Sequence, residues 1–170
     1  MNNITFSSDT KIITLKEILE TKRLGESYFK TKIDPDQFPA TNKSAEWTYK
    51  KIQNFINIIK YKNKIIGFTF IIPSNKKLMK YFISNKITER ELYEKSKKLK
   101  LNFETLYLCA AFINKEFRRE SLALKAFIKT IKNNSNKNTF LFYWAYSKEG
   151  EKLAKKIGKI TKLKILKRKS

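Results

Sequence analysis

Two apolar runs, Phe55 to Tyr61 and Ile65 to Ile72, flank the polar Lys62-Asn63-Lys64, a pattern that predicts a β-hairpin whose second strand ends at Pro73. It is the clearest β signal in the chain. Upstream, Lys11-Ile-Ile-Thr14 reads as a short first strand. Thr14 is placed to cap a helix running through Tyr28, with Leu15, Ile18, Leu19 and Leu24 as its apolar stripe. Asp34-Pro-Asp-Gln-Phe-Pro39 carries two of the three prolines and cannot continue that helix. It is read as a loop leading to a second helix near Ser44 to Lys51, with Trp47 packed inward.

Between Pro73 and Glu104 the chain turns lysine-rich and helix-prone, with Leu78, Tyr81 and Phe82 on one face and Leu92 and Leu99 further on. Thr88-Glu-Arg-Glu91 fits a capping box and starts a second helix there. Glu104 to Ile113 is a strand. Arg119 to Asn133 is a helix, with Leu122, Ala126, Phe127 and Ile131 at helical spacing. Thr139 to Tyr146 is an aromatic strand, and Lys148 to Ile157 a helix stopped by Gly158. Ile160 to Leu166 leaves room for one last strand before a basic tail. The expected class is α/β (α+β): a mixed central sheet flanked by helices, in a single domain over residues 1–170.

Composition narrows the chemistry. With 170 residues and 41% hydrophobic content the chain can bury a sizeable core. No apolar stretch nears the roughly 20 residues that span a bilayer, and Met-Asn-Asn-Ile-Thr lacks a secretory start, so no membrane and a cytoplasmic setting are expected. One cysteine, Cys109, and no histidine exclude a disulfide framework and histidine-dependent triads, and with them the usual transition-metal ligands. No metal is expected. The formal charge of +23 invites a nucleic-acid reading, yet only Arg23, Arg90, Arg118, Arg119 and Arg168 are arginine, and the 33 lysines are spread along the whole chain. That texture is a solvated lysine surface with weak, non-specific polyanion binding.

One stretch suggests a reaction. Arg118 to Ala123, RRESLA, follows the apolar run Leu106 to Ile113 and opens an amphipathic helix, where unpaired amides and the positive end of the helix dipole favour an anion. The layout resembles the acyl-CoA loop of the GCN5-related N-acetyltransferases, Arg/Gln-x-x-Gly-x-Gly/Ala, with Arg118, Ser121 and Ala123 at those positions. Ile113-Asn-Lys-Glu-Phe117 is similar to the family's Val-x-Pro-Glu-Tyr approach. Ser147-Lys-Glu-Gly150 through Leu153 to Gly158 is similar to its Asn-x-x-Ala-x-x-Leu-Tyr-x-x-x-Gly helix. The order of elements from about Lys11 to Gly158 is also the family's.

The resemblance implies acetyl-CoA as co-substrate and a family fold with a helical insertion at 73–103, before the cofactor-binding strand, and a shortened C-terminus. Phe112 and Ile113 would offer backbone groups to the pantetheine arm. Amides of Arg119, Glu120, Ser121, Leu122, Ala123 and Leu124 would hold the pyrophosphate, helped by the Arg118 or Arg119 side chain. Ser147 either bonds the pantetheine or caps the helix at Lys148. The family's tyrosine acid is replaced by Ala154, so Tyr146, or Tyr143, is the candidate proton donor, and Glu104 and Glu46 are candidate bases. Cys109, in an apolar strand with no histidine to activate it, reads as packing. The implied function is acetyl transfer to a small-molecule or protein amine, with a homodimer possible. Two alternatives stay open: a non-catalytic acyl-CoA- or partner-binding domain of this fold, and a basic nucleic-acid-binding protein using Phe142 and Trp144 to stack bases.

Overall fold

The computed structural model describes residues 3–29, 33–100 and 103–169, and of Arg119 and Glu120 the backbone alone. Six strands form one mixed sheet in chain order: β1 (Ile4–Phe6), β2 (Ile56–Tyr61), β3 (Lys64–Ser74), β4 (Thr105–Ile113), β5 (Phe140–Tyr143) and β6 (Ile165–Lys167). β1–β2 and β2–β3 are antiparallel, whereas β4–β5 and β5–β6 are parallel. A parallel neighbour needs a crossover, and α6 (Leu122–Asn134) and α7 (Lys148–Thr161) supply the two. The mixed α/β class expected from the sequence is therefore the one found. Contacts divide the chain into two compact units, one of segments up to Pro35, Pro39–Phe70 and Ala110–Asn134, the other of Asp36–Phe38, Ile71–Cys109 and segments from Ser135 onward.

In the first unit the opening strand is Ile4–Phe6, not Lys11–Thr14. Phe6 pairs with Ile59 and buries its ring, whereas Ile12 is 70% exposed and has no core to face. Lys11 itself is left-handed, φ 55°, and closes the short helix α1 (Ser7–Thr10) by donating its N–H to Ser7 O at 2.9 Å. Thr14 caps α2 (Leu15–Phe29) as expected. Its Oγ1 accepts the Glu17 N–H at 3.2 Å, and its own N–H reaches Glu17 Oε2 at 2.9 Å. The second helix, α3, covers Asn42–Lys51 and leaves Trp47 half-buried. In the hairpin, Lys62 and Asn63 both take positive φ, 46° and 66°, the conformation of a two-residue turn matched to strand twist. β3 passes through Pro73 instead of ending there. Its last β2 partner is Phe70, so the missing proline N–H interrupts no β2 pair. Asn57, fully buried on β2, donates to Ser8 Oγ, Ala126 O and Thr130 Oγ1 and so fixes α6 to the strand.

The second unit holds two helices where a helix-prone insertion was expected, α4 (Lys76–Ile83) and α5 (Glu89–Ser96); residues 101 and 102 of that stretch lie outside the described residues. Thr88 caps α5 in a reciprocal capping box with Glu91. Leu78 and Phe82 are buried, but Tyr81 turns outward. Phe82, Tyr107 and Phe142 form the aromatic centre, with ring centroids 4.9 and 5.1 Å apart along the series. β5 is shorter than the expected Thr139–Tyr146 because the chain bends away after Tyr143. Gly158 does not stop α7, which continues to Thr161 and is closed by left-handed Lys162 at φ 59°. Its place is explained by packing: a Cβ there would lie 2.6 Å from Ile165 Cγ2. The last strand is accordingly Ile165–Lys167, later than Ile160 to Leu166. Arg168 then lies against both Phe82 and Trp144, 4.2 and 4.6 Å from their ring centroids, and donates from Nε to Asn85 Oδ1 and from Nη1 to Ile87 O.

Candidate functional site

β4 changes character halfway. Thr105 to Leu108 pair with Phe140 to Tyr143 of β5 and are buried, but β5 stops there and β4 runs on from Cys109 to Ile113 with every residue half-buried. Asn114 donates its N–H to Ile66 O of β3 at 2.8 Å. The Phe112 carbonyl lies close enough to β3 that a Cβ on Gly67 would come within 2.5 Å of it, which is why a glycine stands there. The carbonyl of Ile113 accepts the Arg118 Nε at 3.0 Å.

Beyond Asn114 the RRESLA stretch divides into two elements. Lys115–Glu120 form a 3-10 helix, anchored by the Phe117 ring against Tyr61 at 5.3 Å, and α6 begins only at Leu122, three residues later than expected from the sequence. Ser121 joins them in the left-handed conformation, φ 53° and ψ 27°. A serine pays roughly 1–2 kcal/mol for that geometry and a glycine does not, so the chain here has the turn of a glycine loop without the glycine. The first bond of α6 is Lys125 N–H to Ser121 O at 3.0 Å, which leaves the amides of Leu122, Ala123 and Leu124 ahead of any intrahelical acceptor. These three gather at the positive end of a 13-residue helix. The Arg118 guanidinium lies 5.5 Å from the centroid of the exposed Tyr28 ring. Arg119 and Glu120 contribute backbone to the 3-10 helix; their side chains lie outside the described residues.

The remaining candidates, Glu46 apart, belong to the second unit. Tyr146 is 55% exposed, its ring 4.4 Å from Trp144, just ahead of α7. Ser147 caps α7: its Oγ accepts the Gly150 N–H at 3.0 Å. Tyr143 is buried, and desolvation, reinforced by Glu151, raises its pKa. Glu104 is drawn to Lys76, whose N–H donates to it at 3.2 Å, while Glu46 of the first unit faces Lys50 at 3.9 Å; both are exposed ion-pair partners. Phe142 is fully buried, and Trp144 is half-buried with Arg168 against its ring.

Sequence reasoning missed Glu89. This residue is 4% exposed, and its carboxylate accepts the Phe38 N–H and the Tyr107 hydroxyl, each at 2.6 Å, with the Cys109 thiol at 3.9 Å. Burial first, and then the charge of Glu89, pushes both the Tyr107 phenol and the Cys109 thiol well above their ordinary values. Cys109 therefore stays a thiol, in agreement with its reading as packing. Among the described residues no group of acidic, cysteine or histidine side chains is arranged to hold a metal. Nor is any helix long and apolar enough to cross a membrane.

No protein-family model matches the chain, and no curated protein matches it. Among solved structures it is similar to a ribosomal-protein-alanine N-acetyltransferase from Brucella melitensis biovar Abortus 2308, at 13% identity over 91% of this chain and 90% of that one, with a TM-score of 0.49. It is similar also to a possible acetyltransferase from Clostridium difficile 630, at 12% identity over 95% and 91%, with a TM-score of 0.47.

Proposed function

We propose that the chain uses acetyl-CoA to acetylate an amine. The observation that carries this reading is the second half of β4, which runs on past the end of β5 and leads through a glycine-like turn to three amides ahead of any intrahelical acceptor at the start of α6. An extended amide-containing arm ending in phosphates fits that sequence of groups. Phe112 and Ile113 offer backbone groups to the arm, and the amides of Leu122, Ala123 and Leu124 hold phosphate oxygens, aided by the helix dipole. With its carbonyl bonded to Arg118, Ile113 acts through its N–H, and Arg118 adds positive charge from a fixed position.

The thioester supplies an activated acyl group; the protein's part is to orient it, exclude water and manage protons. A backbone N–H of this stretch is a donor for a developing oxyanion. Tyr146 is the proton donor in this proposal, since its phenol is exposed where Tyr143 is buried. Ser147 is given the capping role instead of a pantetheine contact, because its oxygen already serves Gly150. Ala154 is 4% exposed on α7 and brings no acid, which favours, as a second reading, a domain that binds acyl-CoA without turnover.

The test is a thermal-shift titration with coenzyme A at moderate salt, then a turnover assay with acetyl-CoA and a panel of amines. A ligand binding only the folded state stabilises it by roughly 2.7 kcal/mol at a hundredfold excess over its dissociation constant. A flat series up to millimolar coenzyme refutes both readings; stabilisation without acetylated product selects the second. Ala123→Trp, at the start of α6, is expected to abolish the shift while leaving the fold, because the ring would occupy the space before the amides.

A further inference from the structure

Helices α4 and α5 and the segments beside them line an open cleft of about 420 Å³ that the coenzyme reading leaves unused. Its size is that of a small-molecule site, in a class running from roughly 300 to 1,000 Å³. The floor is apolar: Leu78 and Ile87 are buried there, and Leu99 is half-buried beside them. The rim is cationic. Lys77 and Lys86 place their ammonium groups 6.0 and 5.8 Å from the centroid of the Tyr81 ring, and Lys95 joins them from α5. Among the described residues none of these three lysines lies within ion-pair distance of a carboxylate. The one acid in the lining, Glu91, spends an oxygen on the Thr88 N–H at 2.8 Å as part of the helix cap.

Some lysines elsewhere have carboxylate partners: Lys97 meets Glu94, Lys129 meets Asp9, and Lys155 and Lys167 share Glu151. Three cations line an apolar floor, two of them near one tyrosine ring, against the single carboxylate of Glu91, so the cleft carries a net positive charge. A bound anion would balance it, and an anion with an apolar body would also cover Leu78, Ile87 and Leu99. An inorganic anion would leave that floor wet, and a neutral apolar molecule would leave the charges unanswered.

We propose that this cleft binds a small organic phosphate, a phosphate monoester on an aryl or alkyl body, with Lys77, Lys86 and Lys95 around the phosphate and the apolar floor beneath the body. The probe is 1-naphthyl phosphate, titrated into the full chain at physiological ionic strength and followed by amide chemical shifts. Parallel titrations use inorganic phosphate and 1-naphthol. The expected result is saturable one-to-one binding with shifts concentrated between residues 75 and 99, and both comparison compounds at least about tenfold weaker, which is ~1.4 kcal/mol. Lys77→Gln with Lys86→Gln is expected to weaken binding about tenfold. The equally charged control, Lys156→Gln with Lys159→Gln on α7, is expected to leave it unchanged. No saturable binding at millimolar probe, inorganic phosphate binding as well as the ester, or equal loss in the two double variants would overturn the proposal.

Discussion

Removing the Glu89 carboxylate tests how the second unit holds together. That oxygen pair is the acceptor for two strong donors, the Phe38 N–H and the Tyr107 hydroxyl, in surroundings where Tyr107 is fully buried. In Glu89→Ala each donor is left buried without an acceptor, at about 1–3 kcal/mol apiece, and one methylene of packing, about 0.8 kcal/mol, goes with the carboxylate. The sum, roughly 3–7 kcal/mol, is a large share of the 5–15 kcal/mol typical of a folded domain. Tyr107→Phe removes one bond to a charged group and is expected to lose about 1.5–3 kcal/mol. In the double variant the orphaned hydroxyl is gone, so the two losses do not add; their coupling is expected to be about 1–3 kcal/mol. Urea unfolding of the parent, both single variants and the double at neutral pH measures it. A Glu89→Ala loss below about 1 kcal/mol, or a coupling within about 0.5 kcal/mol of zero, would refute the reasoning.

Three further outcomes follow from the same structure. Ser121→Gly should raise stability by about 1 kcal/mol, read as a higher urea midpoint, because it relieves the left-handed serine; a drop would mean that the hydroxyl has a role of its own. Cys109, whose pKa burial pushes up, should react with iodoacetamide at mildly alkaline pH far more slowly than a free cysteine, and alkylation at the free rate would contradict that environment. Burial opposes ionisation of Glu17, but the Lys60 and Thr14 bonds outweigh it, so its folded pKa lies below 4.5. Its contribution is present above the unfolded value and lost as pH falls through the lower folded one. Glu17→Gln should therefore trail the parent in stability at neutral pH and converge with it in acid; a gap unchanged at low pH would count against the ion pair.

What the sequence revealed was local. Thr14, Thr88 and Ser147 each cap a helix by bonds that close within three residues, and Lys62-Asn63 turn a hairpin between two apolar strands. The strand, turn and helix around RRESLA were legible for the same reason, although the 3-10 helix displaced the start of α6. The errors came where distance along the chain decides. Ile4-Thr-Phe6 is too short to announce a strand, and only its pairing with β2, more than fifty residues on, makes it one. Glu89 stands in the first turn of α5 and reads as one more acid suited to the helix dipole. It is buried because the Phe38 amide, fifty-one residues earlier, comes back to it. Gly158 looks like a stop signal until Ile165 is seen against it.

The place of Arg168 bears on the order in which the molecule is made. Everything the first unit needs has been synthesised by Asn134, whereas the second still awaits α7, β6 and the arginine that fills the space by Phe82 and Trp144. At about 5–20 residues per second the intervening stretch takes roughly 2–7 s to appear. During that interval Phe82, Ile83 and Asn85 have been translated but lack the partners they will have in Arg168 and Lys169. The nascent second unit thus carries an incomplete aromatic centre for a period long on the scale of hydrophobic collapse, and a chaperone that shields exposed rings would meet this chain there first.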